Sequence, residues 1–233
     1  MPLILCIETA TAACSVALVK NGELFAIKHS SRKNAHSAVL NLFIDELISE
    51  SGLVYSSLDA VAVSKGPGSY TGLRIGVSTA KGLCYALDIP VMAPGTLLCM
   101  ASGLLPEHQE LPENALLAPM IDARRMEVFA AVYDHKLACL NPADAVIVDD
   151  EAFNNLPEDR PVYFFGDGAE KCRETLSKRS NWHYIPGFVN SAAHMAGIAT
   201  EYYQASRFEN LAYFEPFYLK DFIAGKPVVK GLR

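Results

Sequence analysis

The chain is poor in the residues that build metal centres and disulfide frameworks. Its six cysteines, Cys6, Cys14, Cys84, Cys99, Cys139 and Cys172, form no C-x-x-C pair, and most lie in apolar stretches, as reduced, buried thiols do. Its six histidines are equally dispersed. Neither a zinc cluster nor a disulfide framework is expected, and this cysteine usage points to a cytosolic compartment. Positive charge is also scarce. The 20 Lys and Arg against 26 Asp and Glu give a formal charge of −6, which leaves no basic footprint for gripping nucleic acid directly. No apolar run approaches the roughly 20 residues that span a bilayer. The opening Met1-Pro2-Leu3-Ile4-Leu5 lacks the charged start of a signal peptide. Disorder is excluded in turn. With 51% hydrophobic and 20% charged residues in 233, the chain can bury a sizeable core as one large domain or two small lobes.

What is present reads as alternating strands and helices. Leu3 to Ile7 and Cys14 to Val19 are buried β-runs, and Asn21-Gly22 signals a hairpin into a third strand through about Ile27. An amphipathic helix follows over roughly Ser37 to Ser51, its apolar positions including Leu40, Phe43 and Leu47, with Gly52 as its C-cap. Leu58 to Val63 is a strand. The Gly66–Gly72 loop opens a helix to Leu87, Ile89 to Met92 is a short strand, and a further helix covers Thr96 to Leu105. The polar stretch Pro106 to Asn114 is a candidate linker. It divides an N-terminal lobe, 1–105, from a C-terminal lobe, 106–233, whose last helix and tail can pack back on the first. Beyond it the plan recurs. Strands over Ala115 to Ile121, Met126 to Tyr133 and from Lys136 follow an acid-ended hairpin, and Val162 to Phe165 leads to Gly166-Asp167-Gly168 and a helix from Ala169. The expectation is an α/β protein of two similar lobes.

Several segments could carry chemistry. Lys65-Gly66-Pro67-Gly68-Ser69-Tyr70-Thr71-Gly72 places backbone N–H groups at the start of a helix, where Ser69 or Thr71 can cap and a phosphate would be welcome. It lacks the Gly-Lys-Ser/Thr of a P-loop, the spacing of a dinucleotide fingerprint and the flanking glycines of a nucleophile elbow. Glycines that merely permit a tight turn and close helix packing fit it equally well. Glu8-Thr9-Ala10-Thr11 offers a carboxylate and two hydroxyls that could hold a nucleotide–metal pair or close an ordinary turn. Gly166 and Gly168 are a weaker version of the same signal. Asp122-Ala123-Arg124-Arg125 fits an anion grip or a solvated turn, and His36 reads as a capping or surface residue. Gly72, Gly76, Ala80 and Cys84 form a stripe of small residues four apart. It suits either a close helix–helix interface or the chain's own sheet.

The two acid-ended hairpins and two glycine loops together resemble the actin, Hsp70 and sugar-kinase superfamily, whose lobes are ribonuclease-H-like. Four strings narrow the resemblance: Ile7-Glu8-Thr9-Ala10-Thr11, the Gly66–Gly76 stretch, Ile121-Asp122-Ala123-Arg124 and Pro216-Phe217-Tyr218-Leu219. In this order they resemble the TsaB (YeaZ) family over nearly the whole chain. The resemblance implies a non-catalytic partner of a TsaD-like subunit, with a TsaE-like ATPase, in transferring threonylcarbamoyl to N6 of adenosine 37 of tRNA. It implies tRNA contact only through that complex, a homodimer when alone, no membrane and a cytoplasmic location. TsaD carries an H-x-x-x-H metal motif where this chain has Thr96 and Met100. The resemblance therefore implies no metal, no catalytic residue and no required cofactor, with ATP or ADP confined to a site shared in the complex. Glu8 stands where nucleotide-binding members carry aspartate. Glu8, Thr9, Thr11, Gly66, Gly68, Ser69, Thr71, Gly166 and Gly168 are then a vestigial or shared nucleotide site. Gly72, Leu73, Gly76 and Ala80, flanked by Leu40, Phe43 and Leu47, are the expected partner interface. The rival readings are a small-molecule kinase of the same superfamily and a glycoprotein metallopeptidase of the M22 type.

Overall fold

The computed structural model describes residues 2–30 and 36–220. The tail over residues 221–233, expected to pack back on the first lobe, lies outside the described residues. Two five-stranded sheets organise the chain. The first has strand order β3-β2-β1-β4-β5 and is built from β1 (Leu3–Glu8), β2 (Cys14–Lys20), β3 (Glu23–Ser30), β4 (Ala60–Val63) and β5 (Val91–Met92). The second has the order β10-β9-β6-β7-β8, from β6 (Leu116–Asp122), β7 (Glu127–Asp134), β8 (Cys139–Ile147), β9 (Val162–Phe165) and β10 (Trp182–Tyr184). Each sheet runs three antiparallel strands and then two parallel ones, in the same sequence order. The repeat expected from the two hairpins is therefore a repeat of topology.

Helices α1 (His36–Glu50) and α2 (Tyr70–Leu87) cover one face of the first sheet, and α3 (Thr96–Glu107) lies between the sheets. β1 is buried throughout. Leu3, Leu5 and Ile7 point into the core under α1 and α2, while Ile4 and Cys6 join the opposite core with Cys99 and α5 (Ala196–Gln204). This period-two division is why the strand reads as an unbroken apolar run. α3 turns Leu97, Met100 and Leu104 onto Leu117, Ile121 and Phe129 of the second sheet, which joins the lobes through an apolar seam. The second sheet's outer face is covered by a 3₁₀ turn, Glu170–Cys172, by one-turn α4 (Arg173–Leu176) and by the segment holding Val148, Phe153 and Leu156. The helix expected from Ala169 is thus reduced to seven residues, because the chain must return to β10 at Trp182.

Smaller expectations resolve locally. Asn21 and Gly22 both adopt positive φ, as the hairpin requires, and Gly52 (φ 67°) ends α1 while Leu53 N–H donates to Ile48 O. The linker begins later than Pro106. α3 continues through it to Glu107, since proline in a last turn forfeits only one helical hydrogen bond. His36 is neither cap nor surface: it is buried, with Nε2 2.9 Å from Thr11 O.

The small-residue stripe is also corrected. Gly72, Leu73, Gly76, Val77, Ala80 and Cys84 are all buried, and Leu40 and Leu47, with half-buried Phe43, pack into the same core. The stripe belongs to the chain's own sheet and turn and is not an exposed interface. The reason is one of spacing. A four-residue repeat marks a helix face without saying which way it points.

Candidate functional site

In each lobe the first strand of the hairpin ends in an acid, Glu8 at the end of β1 and Asp122 at the end of β6. Glu8 closes β1 and is wholly buried. Its Oε1 accepts the Ala10 N–H at 2.6 Å and its Oε2 the Ser64 hydroxyl. Asn190 adds its side chain from a segment 182 residues away, with its amide nitrogen outside good hydrogen-bond geometry. Burial pushes the Glu8 carboxyl above its usual range despite the opposing pull of these donors. Both oxygens are engaged by the protein itself.

The glycine loop is engaged as well. A Cβ on Gly68 would stand 2.4 Å from Ala10 O, one on Gly72 2.1 Å from Thr9 O, and one on Gly76 2.3 Å from Thr9 Oγ1. Ser69 N–H donates to Ala10 O at 2.7 Å, and Ser69 Oγ caps α2 by accepting from Gly72 N–H at 3.2 Å. On the loop's other flank Gly66 has φ 119°, and its Cβ would meet Phe217 O at 2.4 Å. Phe217 N–H donates to Lys65 O at 2.7 Å, and Thr96 N–H donates to Gly66 O at 3.0 Å. Gly66, Gly68 and Ser69 therefore hold the turn Thr9–Ala10 and the segment around Phe217 where the sequence left room for a phosphate. Close backbone packing accounts for these glycines. Thr71 is exposed on the first turn of α2, away from buried Thr9 and Thr11.

The second hairpin is more open. Asp122 closes β6, pairs with Lys171 and accepts the Arg124 N–H at 2.9 Å. Partial burial would raise its carboxyl, but the Lys171 ammonium and the Arg124 amide hold it below the usual range. The two consecutive arginines sit on a tight turn, both at positive φ, and the acid's partner is Lys171. After β9, Gly166 (φ 106°) and Gly168 repeat the first loop's logic. Their Cβ atoms would meet Met120 O at 2.3 Å and Ile121 C at 2.7 Å. Asp167 accepts the Asp122 N–H at 3.2 Å, and burial followed by the neighbouring Asp122 charge raises its carboxyl.

Between the turn after β1 and the loop after β9 lies a cavity of about 150 Å³ that reaches Thr11, Met100, Asp167, Phe188 and Asn190. Sites for drug-sized ligands and cofactors usually enclose about 300–1,000 Å³. Thr96 and Met100 are both buried in α3, Met100 in the seam between lobes. Among the described residues no group of three His, Cys, Asp or Glu side chains is placed to hold a metal. Sequence reasoning missed the two side chains that stand beside Glu8, Ser64 and Asn190. Ser64 follows β4 and donates its N–H to Ile7 O, within reach of a register argument, whereas nothing local marks Asn190.

Comparison with known proteins decides the family. Residues 25–228 match the profile described as "TsaD: tRNA N6-adenosine threonylcarbamoyltransferase". A Bacillus subtilis protein named "tRNA threonylcarbamoyladenosine biosynthesis protein TsaB" is 33% identical over 82% of this chain and 80% of its own length. The chain belongs to the TsaB (YeaZ) family. TsaB of Haemophilus influenzae is 40% identical over 54% of the chain, a match that spans 51% of that relative's length. The structure of YeaZ from Pseudomonas aeruginosa superposes with a TM-score of 0.82 at 26% identity, covering 94% of this chain and all of that one. The activator of 2-hydroxyisocaproyl-CoA dehydratase from Clostridium difficile, solved with bound ADPNP, shares the fold alone. Its TM-score is 0.52 at 12% identity, with 88% and 96% of the two chains covered. The fold is thus the two-lobed α/β architecture of YeaZ, two five-stranded mixed sheets with helices. No helix among the described residues is long and apolar enough to cross a membrane.

Proposed function

We propose that the chain is a catalytically silent subunit in threonylcarbamoyladenosine biosynthesis, acting in the cytoplasm with a TsaD-like transferase and a TsaE-like ATPase. The names of its curated relatives place them in that pathway. One observation of the site carries the silence. The acid is engaged by the Ala10 N–H and the Ser64 hydroxyl, and the glycine loop that would hold a nucleotide is packed on the Thr9–Ala10 turn, with Ala10 O taking the loop's Ser69 N–H. The acidic surface fits a subunit that leaves tRNA phosphates to its partners. Nucleotide, on this reading, binds at a site shared in the complex. Any docking on the first two helices, including self-association when the subunit is alone, uses their outer face. There Leu42, Arg74, Ser78 and Tyr85 are exposed, opposite the buried stripe.

Reconstitution of tRNA modification with and without this chain tests the reading. Modification by the TsaD-like and TsaE-like proteins should depend on the chain, and the chain alone should neither modify tRNA nor turn over ATP. ATP turnover by the purified chain that vanishes in Glu8→Ala would overturn this reading and favour the kinase reading.

A further inference from the structure

The segment from Glu209 to Lys220 joins the two lobes by a route separate from α3. It starts on the first lobe, where Glu209 N–H donates to Val91 O at 2.9 Å and Phe214 is buried in the core beneath α1 and α2. Lys81 of α2 holds it by donating to Phe214 O at 2.9 Å and to Ala212 O at 3.3 Å. It then clamps the glycine loop. Phe217 N–H donates to Lys65 O, Phe217 O fills the space that a Gly66 side chain would need, and Tyr218 stacks on Tyr70 with ring centroids 4.8 Å apart. Its last two described residues cross to the other lobe. Leu219 packs on the seam that includes Leu117, Ile121 and Phe129, and Lys220 pairs with Glu127 at the start of β7.

The attachments are unequal. The first-lobe end has a buried aromatic, backbone hydrogen bonds and a lysine on two carbonyls. The second-lobe end has a half-buried leucine and one ion pair, in which Glu127 is only 19% exposed. A hollow of about 320 Å³ lies along the segment between Lys65, Glu209, Phe214 and Phe217, so it does not rest on a close-packed bed. Lys220 also reaches the neighbourhood of Asp122, because Lys171 contacts both Asp122 and the Glu127 carbonyl. The segment thus links the first glycine loop to the second hairpin, one from each lobe at the cleft.

We propose that Glu209–Lys220 is a latch: its Leu219–Lys220 end sets the spacing of the two lobes, and release of that end widens the cleft between Thr11 and Asp167. The Pro216–Leu219 string is then explained by mechanics, as a strap anchored on the glycine loop. Interlobe distance in the full chain tests this. Cys139 is the exposed native thiol among the described residues, the other cysteines being buried. With Ser37→Cys on exposed α1 it gives one spin label per lobe. Leu219→Ser/Lys220→Glu should lengthen or broaden the label-to-label distance while α1 and α2 keep their helical signal. Hydrogen exchange around Gly66–Leu73 should quicken by roughly two- to fivefold when the ion pair alone is lost. Swapping the charges, Lys220→Glu with Glu127→Lys, should restore both readings. An unchanged distance distribution in the double variant overturns the latch, as does a charge swap that fails to restore a distance lost in Lys220→Glu.

Discussion

The two lobes share a strand order yet treat the same positions differently. At the end of its first strand each carries an acid, and after its fourth strand each carries a glycine pair. Glu8 is sealed, and burial raises its carboxyl; Asp122 is half-exposed, and a lysine lowers it. Gly68 abuts the turn after β1, and Gly168 abuts the end of β6. In the first lobe long α2 follows the glycine loop and packs on the hairpin's turn, while in the second the loop is followed by a 3₁₀ turn and one-turn α4. The comparison teaches that a conserved plan need not mean a conserved site. Once a helix docks on the hairpin, glycines that could greet a phosphate become packing residues.

The largest expected effects come from breaking that docking. Gly72→Ala places a methyl group 2.1 Å from Thr9 O, where backbone must move, and should cost about 3 kcal/mol or more in a chemical-denaturation midpoint. Gly76→Arg in the same stripe should leave no folded protein in a thermal melt. Gly82→Ala is the control on the outer face of α2, with nothing within 4 Å of the new Cβ. It should stabilise by roughly 0.5–1 kcal/mol, since glycine is the poorer helix former. An equal gain at Gly72 and Gly82 would mean that the stripe faces solvent.

A second test addresses the junction where the elements following β5 and β10 meet. His194 lies against Gly103 of α3 and beside Phe188, and burial lowers its imidazole to about 4. A histidine that takes up its proton more readily when unfolded gives stability that is full above its ordinary value of 6.5 and is lost as pH falls toward 4. The loss is about 3 kcal/mol. Denaturation midpoints between pH 7 and 4 should decline accordingly, and the decline should flatten in His194→Gln. A decline of the same size in the variant would assign the acid sensitivity elsewhere.

Much of the architecture was legible because alternation and turn chemistry are local. Asn21-Gly22, Gly52 and the glycine loops announce the backbone conformations that they adopt. The repeat was legible for the same reason, since each hairpin ends in an acid and each fourth strand in glycines. What the residues could not announce was direction. Gly72, Gly76 and Ala80 have the same spacing whether they meet a partner or Thr9, and only the position of the Thr9–Ala10 turn over α2 decides between them. Nor could a local reading find Asn190 beside Glu8, or shorten the helix after Ala169. Both depend on where distant chain comes to rest.

The smallest effects, and the finest test of the comparison, come from the two acids themselves. Glu8 binds its proton more readily folded than unfolded, so its contribution is greatest at low pH. That contribution falls as pH rises from the ordinary value of 4.5 through the raised one, then stays flat. Glu8→Gln should remove that slope and fit the site, because a Gln oxygen can accept from Ala10 N–H and its amide can donate to Ser64 Oγ. Asp122 runs the other way. Its folded value is depressed, so its stabilisation is present above 3.8 and is lost as pH falls through the folded value. The pair with Lys171 is half-exposed and screened, so Asp122→Asn should shift the neutral-pH midpoint by no more than about 1 kcal/mol. Titrating both variants from pH 3 to 7 should show differences from the parent chain that slope in opposite directions. Slopes of the same sign would mean that the two hairpins hold their acids alike, and the division into a sealed and an open half would fail.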